Sequence, residues 1–135
     1  MTIRTTTEAP GALRQVVTVD AHTLHADASV ASGGGASAPS PHDYFDLSLA
    51  TCKALTVSIV AKRRGYPLER VTVDVTRDDS EERKGKYVLL TSMELEGALS
   101  DEQRQVLYRV AERCPIQKLM TESTVEVRML PREET

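Results

Sequence analysis

Along this chain the apolar positions change period several times, and each change marks an element. Arg14-Gln-Val-Val-Thr-Val-Asp20 carries a β-branched run and predicts a strand; Ala21-His22 makes a turn, and Thr23-Leu-His-Ala-Asp27 predicts a second, weaker strand. Two strands joined by so short a polar link form a hairpin. Residues 1–12, with three threonines, Pro10 and Gly11, read as a loose or edge segment. Residues 32–40 are Gly, Ser, Ala and Pro, the composition of a connector.

The best-marked element follows. Ser40 suits a helix N-cap, Pro41 the first helical position, and Asp43 the third position of a capping box. Lys62, Arg63 and Arg64 close the last turn, with Gly65 and Pro67 beyond them. The predicted helix runs from Pro41 to about Arg64, roughly 36 Å at 1.5 Å per residue. Tyr44, Phe45, Leu47, Leu49, Ala50, Cys52, Ala54, Leu55, Val57, Ile59, Val60 and Ala61 cover most of its circumference. A helix apolar nearly all round is expected to be buried nearly all round. So short a chain has little material with which to wrap it. A second copy would supply the cover, so a homodimer centred on this helix is expected; two sheets closing over one helix is the alternative.

Beyond the helix, Val71, Val73 and Val75 alternate with polar residues in a half-buried strand. A polar turn over residues 78–85 leads to a partner strand over 86–96, which makes a second hairpin. Ser100-Asp-Glu-Gln103 is a capping box opening a helix with Val106, Leu107, Val110 and Ala111 on one face. Cys114-Pro115 interrupts that helix, and Pro115 begins another short one through Met120. Residues 124–130 alternate again and predict a last strand. Strands before, between and after helices define an α+β domain, here a single one over residues 1–135.

Composition narrows the function classes. Apolar residues make up 40% and charged residues 27%, a globular balance, and the net charge of −3 argues against a nucleic-acid partner. The opening residues are polar, and no apolar run reaches the roughly 20 residues of a membrane span. A cytoplasmic protein with no membrane partner is therefore expected. One Phe, four Tyr and no Trp disfavour a stacking platform. Two cysteines do not make a disulfide scaffold.

Those two cysteines carry the candidate chemistry. Cys52 lies on the helix stripe of Phe45, Leu49, Leu55 or Thr56, and Ile59, and is expected to be buried; free cysteine often packs as a small hydrophobe. Reactivity there requires a cation or donor nearby. Cys114 follows Arg113 and precedes Pro115, at the start of a helical turn, where a thiolate is favoured. A reversible disulfide between them requires Cα atoms within about 7 Å. His22, His25 and His42 do not match zinc-ligand spacing with the cysteines, so no metal is expected. The glycine-rich segment lacks the Lys-Ser/Thr ending of a phosphate loop, and neither Gly-x-Ser-x-Gly nor His-Glu-x-x-His occurs.

The run Pro39-Ser-Pro-His-Asp-Tyr-Phe-Asp-Leu-Ser-Leu-Ala-Thr-Cys52-Lys-Ala-Leu-Thr, with Ala61-Lys-Arg-Arg-Gly-Tyr-Pro-Leu-Glu69, resembles the central helix of the OsmC/Ohr family. Cys114-Pro-Ile-Gln-Lys-Leu resembles that family's second cysteine motif, and His25-Ala-Asp27 with the glycine-rich connector resembles its OsmC-like branch. The resemblance implies an intertwined α+β homodimer, with antiparallel sheets around the long helix and sites at the interface. It also implies reduction of organic hydroperoxides without a cofactor. Cys52 would become a sulfenic acid, Cys114 would resolve it as a disulfide, and an external dithiol would regenerate the pair. The family's supporting Glu falls at His42, one position before Asp43, and its supporting Arg is absent from the connector, leaving Arg14 and Arg4 upstream. Gln117 stands where a His is common. His42, Asp43 and Arg14 are thus the candidate supporting residues. The alternative function is a redox-linked binding protein of the same fold, holding a small apolar ligand at the dimer interface with weak or no peroxidase activity.

Overall fold

A computed structural model describes residues 1–132. The chain divides into two compact units, one of residues 1–48 and 76–90, the other of residues 49–75 and from 91 onward. The long helix α1 (Pro41–Arg63) and strands β4 (Leu68–Asp78) and β5 (Val88–Gly97) each contribute to both.

The first unit holds a three-stranded antiparallel sheet of β1 (Ile3–Thr7), β2 (Gln15–Val19) and β3 (His22–Ala26), in that order. Val19 faces Ile3 on one side and His22 on the other. The tight β2–β3 turn places Asp20 at φ 51°, a left-handed conformation that Asp tolerates. The N-terminal segment, expected to be loose or at an edge, supplies the edge strand. Its threonines are β-branched and favour extended backbone, and β2 offers them a ladder.

In the second unit, α2 (Asp101–Ala111) and α3 (Pro115–Thr121) follow β5. Ser100 and Gln103 close the capping box, each side chain bonding the other's backbone amide. The core joins Val57 and Ala61 of α1, Leu95 of β5, and Leu107 and Ala111 of α2, with Leu68, Val71 and Met93 packed around them. Two side chains tie α2 to β5. The Arg104 guanidinium donates to the Leu95 and Gly97 carbonyls at 2.9 and 3.2 Å, and the Tyr108 hydroxyl to the Met93 carbonyl at 2.9 Å. Gly97 has φ 143°, and a Cβ there would lie 2.1 Å from the Pro67 carbonyl oxygen, so only glycine fits.

The last expected strand is corrected, and within one chain α1 is covered along a single stripe. Its buried residues Asp46, Leu49, Lys53, Val57 and Ala61 recur every three or four positions and form one stripe, whereas Phe45, Leu55 and Ile59 are exposed and Cys52 is only half-buried. A single chain supplies neighbours for one face only. Residues 124–130 form no strand, and Val125, Val127 and Met129 are exposed. Alternation prepares a segment for a sheet, but a strand also needs a ladder partner for its backbone groups, and none pairs with this segment among the described residues.

Leu107 is fully buried at the centre of the second unit's core. Leu107→Ala should cost about 2–5 kcal/mol of unfolding free energy through lost transfer and a residual cavity, measured by urea denaturation; a loss under ~1 kcal/mol would show that the core collapses to fill the space.

Candidate functional site

The second unit brings the two cysteines together. Cys52 sits in the middle of α1, its Sγ 3.9 Å from the Thr56 hydroxyl one turn further on. Cys114 is fully buried in the turn between α2 and α3, in extended conformation (φ −64°, ψ 145°), with Pro115 opening α3. Pro115 fixes this geometry, because the residue before a proline is driven out of the helical region. The two thiols are free, and they lie near enough for Cys52 to act on the ionisation of Cys114. Burial pushes the Cys114 thiol above its usual range, and the neighbouring Cys52 pushes in the same direction. The Gln117 backbone amide and the positive charge of Lys53 oppose that shift.

Lys53 is the residue that sequence reasoning passed over. It is 6% exposed, and its ammonium donates to the Ala111 carbonyl at 2.8 Å and to the Gln117 side-chain oxygen at 2.6 Å. Ala111 is the last residue of α2, so the charge meets the negative end of that helix. A lysine in the middle of an otherwise apolar helix was the available signal, since lysine is almost never buried without partners.

The supporting residues suggested by resemblance lie in the first unit and have other partners there. Asp43 and Ser40 cap α1 reciprocally: Asp43 accepts from the Ser40 amide at 2.9 Å, and the Ser40 hydroxyl accepts from the Asp43 amide at 3.2 Å. Arg77, near the end of β4, donates to both Asp43 and Asp46, and the Tyr87 hydroxyl donates to Asp46 at 2.7 Å. The Ser40 amide, then Arg77, hold the Asp43 carboxyl below its usual range; burial and the Asp46 carboxylate push Tyr87 up to about 12. His42 pairs with Glu82 at 2.8 Å. Arg14 makes an ion pair with Glu8, while its Nε is buried with no partner among the described residues. None of these pairs includes a cysteine.

The glycine-rich segment is ordered by Asp27, which is buried at the end of β3. Its carboxylate accepts from the Ala28 amide at 2.8 Å, the Gly35 amide at 3.3 Å, and the Ser37 amide and hydroxyl at 3.0 and 2.7 Å. A Cβ at Gly34 would lie 2.3 Å from the Ala28 carbonyl oxygen. The loop's amides thus surround a carboxylate of the chain itself, which removes the donors a phosphate loop would need. Among the described residues no group of three or more His, Cys, Asp or Glu could hold a metal ion.

An α+β fold with one cysteine on a long helix and a second presented to it from a proline-started turn defines a dithiol protein. The OsmC-like protein family matches residues 33–129, and the chain belongs to that family. No curated protein matches it. Among solved structures, the chain is similar to an OsmC-like protein from Mycoplasma pneumoniae, with TM-score 0.70 and 17% identity over 90% of this chain and 86% of that one. It is similar to the organic hydroperoxide resistance protein OsmC of Legionella pneumophila (TM-score 0.61, 21% identity, 90% of each chain). It is also similar to the organic hydroperoxide resistance protein OhrB of Bacillus subtilis (TM-score 0.57, 20% identity, 90% of this chain and 92% of that one). At these identities the likeness establishes the fold.

The Ser37 hydroxyl, with the three backbone amides, lowers the Asp27 pKa from 3.8 to about 2. The folded value lies below the unfolded one, so Asp27 contributes stability above pH 3.8 that is lost as pH falls toward 2. Thermal unfolding followed across that window should show a steeper loss for the natural protein than for Asp27→Asn, and parallel curves would show that the charge contributes nothing.

Proposed function

We propose that this protein reduces organic hydroperoxides with its two thiols. The observation that carries the reading is the nearness of the free thiols of Cys52 on α1 and Cys114 before α3, close enough for one to act on the ionisation of the other. In the first step the Cys52 thiolate attacks one peroxide oxygen. The O–O bond breaks, the alkoxide leaves and takes a proton as an alcohol, and Cys52 becomes a sulfenic acid. Cys114 then forms an S–S bond with that sulfur, and water leaves with the Cys114 proton. A dithiol donor, small molecule or protein, exchanges with the disulfide and restores both thiols while being oxidised itself. No metal, haem or flavin takes part.

The exposed residues of α1 support a homodimer as the working form. Phe45, Leu47, Leu55 and Ile59 are large apolar side chains on a helix that a second copy could cover. By length and composition α1 could also cross a membrane, with 28% of its most apolar window buried. Lys53 and Asp46 at its buried stripe, each bonded within the protein, favour a packed dimer core instead. A second reading, a binding protein that holds a small apolar ligand, draws on the raised Cys114 thiol and on the supporting residues being occupied elsewhere.

Purified protein mixed with cumene hydroperoxide and dithiothreitol should consume peroxide, and Cys52→Ser should fall to the uncatalysed background. With dithiothreitol left out, Cys114→Ser should consume one equivalent of peroxide and hold a sulfenic acid that dimedone traps. Peroxide consumption no faster than that of Cys52→Ser would sink the proposal and leave the binding reading.

A further inference from the structure

The buried ammonium of Lys53 is bonded on both sides of Cys114: to Ala111, three residues before it, and to Gln117, three residues after it. Between these anchors Glu112 and Arg113 are exposed, and Cys114 is the fully buried residue. Lys53 is itself the neighbour of Cys52 on α1. From these positions we infer that Lys53 is a positioning residue for the dithiol: it ties the end of α2 to the first turn of α3 and so holds Cys114 against Cys52 for disulfide exchange. The inference rests on the dithiol reading above, but not on the oxidant being a peroxide.

An ammonium taken out of water needs full hydrogen bonding or a counter-charge. Both acceptors of Lys53 are neutral oxygens, and among the described residues no carboxylate pairs with it. A thiolate forming at Cys114 is an anion within its field, and the charge of Lys53 offsets part of the burial that disfavours that thiolate. The arrangement therefore does two things for one sulfur. It fixes the turn on which Cys114 sits, and it favours the charged form through which the sulfur exchanges. Gln117, at the position where the family resemblance suggested a histidine, keeps an uncharged acceptor in place and leaves the ammonium's charge uncancelled.

A role limited to capping α2 would leave the redox equilibrium and its pH dependence unchanged, which separates the two accounts. The reduced protein is equilibrated in buffers of glutathione and glutathione disulfide. One cysteine thiolate attacks glutathione disulfide and releases a glutathione thiolate; the second cysteine displaces the other glutathione. Two electrons pass to the glutathione, and two protons leave the protein. Without the anchor Cys114 is held less closely to Cys52, and the Cys52–Cys114 disulfide constant should fall about tenfold in Lys53→Met. Because burial keeps Cys114 protonated, the opposite effect of losing a cation that stabilises the reduced thiolate is the smaller one. The pH midpoint of the exchange rate should rise in the same variant, and Lys53→Arg should recover most of both effects. Gln117→Leu keeps the lysine and breaks only the α3 anchor, so it should move the constant in the same direction and decides the matter if Lys53→Met does not fold. An unchanged constant and pH profile in the folded variants would overturn the inference. So would a natural protein that forms no Cys52–Cys114 disulfide in these buffers. A disulfide that responds to Lys53 in a protein inactive toward cumene hydroperoxide would overturn only the peroxide reading.

Discussion

The helix α1 sets the terms for the rest of the chain. Its sequence is apolar on nearly every face, yet the chain buries only the stripe through Leu49, Lys53, Val57 and Ala61. Phe45, Leu55 and Ile59, about half exposed, each forgo roughly half of the ~1.5–3 kcal/mol that full burial of such a side chain gives. The C-terminal segment alternates apolar residues without a strand beside it, and the long helix carries its cysteine at the margin of the covered stripe rather than at its centre.

Within the covered stripe the two charged residues obey one rule. Asp46 and Lys53 are both buried, and each has two partners. Asp46 takes Arg77 and Tyr87, a charged and a polar donor, which makes a closed ion-pair network. Lys53 takes only neutral acceptors and keeps its charge effective at a distance. The same cost of desolvation thus has two outcomes on one helix: a neutralised charge that fastens structure, and a charge left available beside the thiols.

What could be read from the sequence divides along the same line. The start and end of α1, the capping box of α2 and the proline-started α3 rest on local chemistry, and their bounds agree with expectation to within about a residue. Asp43 was expected as a capping carboxylate, and its exchange of hydrogen bonds with Ser40 is that cap. The connector's flexible composition concealed an ordered loop, because the four donors around Asp27 come from the loop's own backbone and one serine. Lys53 was visible as an oddity, but its acceptors lie 58 and 64 residues away and no spacing rule joins them. The last strand failed for a different reason. Alternation records which side chains would face which way in a sheet, and says nothing of where the neighbouring strand is.

The two thiols have unequal settings, and the inequality orders their roles. Cys52 is half-buried and Cys114 fully buried, so in the proposed reaction a bulky oxidant would meet Cys52 first and Cys114 would be shielded from over-oxidation. Burial, and to a lesser degree the neighbouring Cys52, hold the proton on Cys114, while the Gln117 amide and the charge of Lys53 oppose them. A thiol that holds its proton until its partner is oxidised, and then has a cation at hand to stabilise its loss, suits a resolving cysteine better than an attacking one. In the proposed reaction the order of the pair therefore rests on exposure at Cys52 and on the buried ammonium whose charge acts on Cys114.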